Sequence, residues 1–122
     1  MSVRMIAITG VAVGLLAGPA LGHHSFARFD SDTTVEAQGT IKEFQWTNPH
    51  SWIEVMVTDA EGQEIQWSLE LGGPGGLSRD GWTPRTIVPG DEVTVRFHPK
   101  KDGAPIGQFV SIVLPNGETF ED

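Results

Sequence analysis
The chain has no cysteine and no tyrosine, and only eight lysines and arginines against sixteen acidic side chains. Without cysteine there is no disulfide framework, no thiolate metal site and no thiol catalysis. The acidic excess repels phosphate backbones, so nucleic acid is excluded as a natural partner. Long apolar runs are also missing. Met5 to Ala17 is uncharged, but Gly18-Pro19 ends it short of the roughly 20 residues a spanning helix needs.

What stands at the start is a layout in three parts: Arg4, then the apolar run, then Gly18-Pro19-Ala20-Leu21-Gly22. Charge, apolar stretch and small residues in that order read as a secretory signal, with an uncleaved anchor as the alternative. Ala20-Leu21-Gly22 offers a small-x-small cleavage pattern, so residues 1–22 are assigned to a cleaved signal and residues 23–122 to one small domain. Cleavage after Ala20 is the second option. Removing 1–22 takes away Arg4 and no acid, leaving seven basic against sixteen acidic side chains, nine negative charges in excess. The expected location is periplasmic or secreted, with no stable membrane span after cleavage.

The mature part is rich in β-branched and aromatic residues, with turn clusters at short intervals. Val35 to Trp46 reads as a long first strand whose apolar phase changes from Ile41 to Phe44, which predicts a bulge near Lys42-Glu43. Gly39 permits a sharp bend. After the Thr47-Asn48-Pro49 turn, His50 to Asp59 reads as a second strand with Ile53, Val55 and Val57 inward. Glu64 to Leu71 alternates cleanly as a third, with Ile65, Trp67, Leu69 and Leu71 inward. Gly72 to Gly76 reads as a flexible bend. Leu77 to Thr83 is a short helix or turn, bringing Trp82 as a plug for one end of the core. Glu92 to His98 is the fourth strand and Gly107 to Leu114 the last, which Pro115-Asn116-Gly117 ends. Five strands with one helical connection after the third predict an all-β, OB-like barrel, with a generic sandwich as the alternative.

Several motifs accompany this pattern. His23-His24-Ser25-Phe26 follows the export signal, with Phe29-Asp30 close behind. Trp46-Thr47-Asn48-Pro49-His50-Ser51-Trp52, Gly81-Trp82 and Pro89-Gly90-Asp91 come later. Together they resemble an uncharacterised family of small exported bacterial proteins, a domain of unknown function. The resemblance covers essentially the whole mature chain. It implies an exported β domain with histidines at these places, and no established activity. The alanine usual in that family before the first histidine is Gly22 here, also small.

The histidines carry the functional expectation. Cleavage after Gly22 gives His23 a free α-amine beside its imidazole, two nitrogens able to chelate one ion. His50, held after the Asn48-Pro49 turn, is the candidate third nitrogen, with His24 and His98 in reserve. A roughly square nitrogen set suits copper(II), which heads the divalent affinity order. Trp46 and Trp52 are expected to shield the ion, and Asp30 or Asp32 to orient an imidazole. Cleavage after Ala20 would instead offer an amine, two amides and the His23 ring to copper or nickel. Zinc on His23, His24 and His50 would need a fourth ligand or a water. Plainer readings stand beside these: His23-His24 as a solvated terminus, His50 bonding its own turn, and His98 as an exposed strand residue.

No catalytic motif emerges. Glu54 and Glu70 form a carboxylate pair of the kind glycosidases use, but alternating strands expose such residues routinely. Ser25, Ser51 and Ser68 lack a nucleophile elbow. Gly72 to Gly76 lacks the Lys-Ser/Thr of a phosphate loop. A copper oxidase would use the same N-terminal histidine, but the short chain leaves little flat binding surface and there is no tyrosine for an axial ligand. The expectation is a non-enzymatic metal carrier or buffer serving a periplasmic protein partner. The alternative is a metal-free OB-type module in which Trp46 and Trp52 hold a saccharide, peptide or protein.

Overall fold
The computed structural model describes residues 27–122. The alternation predicted from the sequence is realised in β1 (Val35–Gln45), β2 (Trp52–Thr58), β3 (Glu64–Glu70), β4 (Glu92–Pro99) and β5 (Ile106–Val113). A short helix α1 (Pro74–Arg79) lies between β3 and β4, and a sixth strand β6 (Thr119–Glu121) follows β5. The sheet order is β3-β2-β1-β4-β5-β6. A parallel pairing of Ser68, Leu69 and Glu70 with Ile106, Gly107 and Gln108 joins β3 to β5 and closes a five-stranded barrel.

Period-2 apolar residues build the core. Ile53, Val55 and Val57 of β2 and Val93, Val95 and Phe97 of β4 are all buried, as are Leu69 and Leu71. β1 serves both sides of the barrel. Its first part pairs with β4 and its second with β2, and the register with β2 shifts between Ile41 and Glu43. The bulge expected at Lys42-Glu43 is therefore present, and it rotates Phe44 onto the core side, where it packs against Trp46 and Trp82. Gly39 pairs with both Val57 and Val93 at the bend.

Two readings of the connecting segments are corrected. Gly72 to Gly76 is not simply a flexible bend, because Pro74, Gly75 and Gly76 form the first turn of α1 with Pro74 at its start. Proline's fixed φ and missing N–H suit that position, and this outweighs the helix-weakening glycines. The helix thus begins before Leu77, which is its buried residue. Nor is the strand that ends before Pro115-Asn116-Gly117 the last. Leu114 N–H donates to Glu118 O at 2.8 Å, and the chain turns back as β6 against β5.

Trp82 fills the end of the core as expected. It is 2% exposed, touches Phe44, Phe109 and Phe120 ring to ring, and donates its indole N–H to Glu121 O at 2.9 Å.

Candidate functional site
The site is best built outward from His50. Asn48-Pro49 is a cis peptide, and the turn it makes is tied by the Thr47 hydroxyl donating to His50 O at 2.6 Å. Ser51, fully buried, continues the antiparallel pairing beyond β2: its N–H donates to Gly72 O at 3.0 Å and its carbonyl accepts from Leu71 N–H at 2.9 Å. His50 therefore sits two residues before β2 rather than at the start of that strand, yet its backbone is fixed on both sides. Gly73 belongs to the same joint. A Cβ there would lie 2.8 Å from Pro49 O and 3.0 Å from Asn48 Oδ1, so only glycine lets the turn and the helix connection approach this closely.

The His50 ring is about half exposed, at 48%. Its Nδ1 lies 3.3 Å from Leu71 O and 3.6 Å from Glu70 Oε1. Glu70 ends β3 and faces Trp52 of β2 on one side and Gln108 of β5 on the other. Strand alternation marks Glu70 as solvent-facing, yet its side chain is only 10% exposed. Arg28 covers it, pairing with Oε2 while its guanidinium lies 5.0 Å from the centroid of the Phe29 ring. Phe29 is buried and bridges to Lys100 after β4. The lead-in segment is thus fastened to the barrel beside His50.

Between these groups lies a cavity of about 270 Å³. Phe29, Leu71 and Phe109 supply apolar walls, and His50, Glu70 and Asp122 bring polar groups to it. Asp122 Oδ2 accepts Gly72 N–H at 2.6 Å. A larger, open concavity of about 1030 Å³ crosses the other side of the barrel at the β1 bend; it is lined by residues such as Thr40, Lys42 and Glu92, with no histidine among the described residues there.

The candidate ligands are placed as follows. His50 is at the cavity mouth. His23 and His24 lie outside the described residues. Among the described residues no three His, Asp or Glu side chains are grouped to hold an ion. His98 bonds Thr33 O through Nδ1 at 2.9 Å. The Asp30 carboxylate accepts the Thr33 hydroxyl at 2.7 Å and the Asp32 N–H at 3.1 Å. Trp46 packs against Phe44 and the core, and Trp52 lies half-buried opposite Glu70; neither lines the cavity. Glu54 is engaged across the strands by the Ser68 hydroxyl at 2.6 Å and by Gln66 Nε2 at 3.1 Å, and Glu70 by Arg28 of the lead-in segment, so both members of the carboxylate pair have structural partners.

The Thr33 hydroxyl, followed by Asp32 N–H, holds the Asp30 carboxyl below its ordinary range. A depressed folded-state value contributes stability above the unfolded value, and that contribution is lost as pH falls through the folded one. Asp30→Ala is therefore expected to be less stable than the parent at neutral pH. The gap should narrow as pH is taken below about 3.9, which urea unfolding at several pH values will measure.

The barrel's closed topology, with its helix between the third and fourth strands, defines a small OB-type domain with a histidine-edged cavity. The chain belongs to a family of unknown function, DUF6152, whose model matches residues 12–109. No curated protein and no solved structure matches it.

Proposed function
We propose that this is an exported metal-binding protein, taking copper(II) through the amine and ring of His23 together with the ring of His50, with His24 in support, as a periplasmic or secreted carrier or buffer. One observation carries the reading. Arg28 is ion-paired to Glu70, and the other oxygen of Glu70 is 3.6 Å from His50. His23 precedes Arg28 by five residues, and five extended residues span at most about 18 Å. The His23 Cα can therefore lie no more than about 18 Å from that of Arg28, a span that leaves His50 within its reach. The rigid backbone around His50 supports the reading further, because a fixed imidazole loses little freedom on binding an ion.

Amine and imidazole nitrogens bind metals only when unprotonated, so affinity should fall as pH drops below about 7. The test is titration of copper(II) into the exported protein and into His50→Ala, with intact mass fixing the first residue and the stoichiometry. The variant is expected to bind at least tenfold more weakly. Equal affinity would remove His50 from the ligand set, and a first residue other than His23 or Leu21 would remove the chelating terminus.

A metal-free module for a saccharide or peptide is the second reading. The observation behind it is the outer face of β2 and β3, where half-buried Trp52 lies beside the hydrogen-bonded Glu54, Gln66 and Ser68, on the strands that OB barrels use for binding. Glycan or peptide binding that survives chelator and is lost in Trp52→Ala would favour it.

A further inference from the structure
We infer that Glu70 is a positioning residue: it fixes the His50 ring with its proton on Nδ1 and ties the lead-in segment to that ring through Arg28. The role in metal capture rests on the reading above, whereas the ring state stands on geometry alone.

Both neighbours of His50 Nδ1 are oxygens that accept. Leu71 O lies at 3.3 Å and Glu70 Oε1 at 3.6 Å. A carbonyl oxygen has no proton to give, and neither has an ionised carboxylate, so Nδ1 must be the donor. A neutral imidazole carries one N–H, which leaves the lone pair on Nε2. Nε2 is then the nitrogen offered to an ion. The Leu71 carbonyl supplies the hydrogen bond. The Glu70 charge adds an electrostatic pull on the same proton, and fixing the tautomer this way is how carboxylates raise the basicity of ligating histidines.

Glu70 is well placed to hold this arrangement. Its backbone is paired on both sides, to Trp52 and to Gln108. Its side chain is nine-tenths buried, and its second oxygen is taken by Arg28. The same carboxylate therefore faces the ring and anchors the residue four positions after His24. No other described carboxylate makes both contacts.

The experiment uses the exported protein with ¹⁵N-labelled histidine, metal-free and above pH 8, where imidazoles are neutral. Long-range ¹H–¹⁵N spectra are expected to show His50 as the Nδ1–H form. In Glu70→Gln, with its fold checked by circular dichroism, the Nε2–H fraction should rise, and copper(II) affinity should fall by about tenfold or more. Arg28→Ala, which leaves Glu70 in place, should keep the Nδ1–H form while weakening copper binding. A wild-type Nε2–H ring, or a Glu70→Gln protein with unchanged tautomer and unchanged affinity, overturns the inference. Should the parent protein bind no copper, the metal reading falls, and the spectra still decide what Glu70 does to the ring.

Discussion

Trp82→Ala is expected to destabilise the protein by about 3–5 kcal/mol, the range for emptying a buried aromatic site. The side chain is 2% exposed and closes one end of the barrel against Phe44, Phe109 and Phe120. These rings come from β1, β5 and β6, so no single neighbour can move in to fill the space. Small domains are stable by only about 5–15 kcal/mol, and the loss should lower the thermal midpoint by more than about 12 °C. Trp82→Phe separates the two contributions of the residue. It keeps an aromatic ring but leaves Glu121 O without its indole donor, and should cost about 1–2 kcal/mol. Thermal and urea unfolding followed by circular dichroism measure both variants. A loss under about 1 kcal/mol for the alanine variant would show that the barrel end is sealed by something other than this ring.

Gly39→Ala should rank next, at about 3 kcal/mol, the upper end of the ordinary overpacking range. The added methyl would lie 2.6 Å from Met56 O and 2.8 Å from Val55 Cγ2. The first of these is backbone in the ladder that Gly39 itself joins, so relief requires β1 and β2 to part where the barrel bends. Gly62→Ala is the informative contrast. A Cβ there meets nothing within 4 Å, but φ is +79°, so only the backbone conformation is strained. That substitution should cost about 1–2 kcal/mol. Equal losses at the two positions would mean that the close approach at Gly39 is not what constrains it.

Much of this fold was legible because the signals were local and agreed with one another. Ile53, Val55 and Val57, and likewise Val93, Val95 and Phe97, alternate without interruption, and each set is buried. The phase change after Ile41 marked the bulge, and Gly39 marked the bend. The start of α1 was obscured because Pro74, Gly75 and Gly76 weaken a helix as composition while Pro74 suits its first position. β6 was obscured because three residues with one large apolar side chain, Phe120, carry no period. The site was legible only in part. The rigid turn before His50 could be read from Asn48-Pro49. Glu70 could be singled out beside Glu54 but not matched to His50, because alternation assigns it outward and its covering residue, Arg28, is distant in sequence. Nor do the partners of Asp30, the Thr33 hydroxyl and the Asp32 N–H, show in any pattern of the sequence.

The way β5 is flanked has a further consequence for behaviour in a crowded compartment. Its first half lies against β3 and its second half against β6, while β1 is shared between β2 and β4. Long ladders of unpaired amides are what let one β protein recruit another, and a closed sheet removes them. The outermost strand is β6, only three residues long. Together with the excess of negative charge, this brevity should keep the folded domain dispersed at high concentration, without the lysine or proline guards that open sheets carry along their margins.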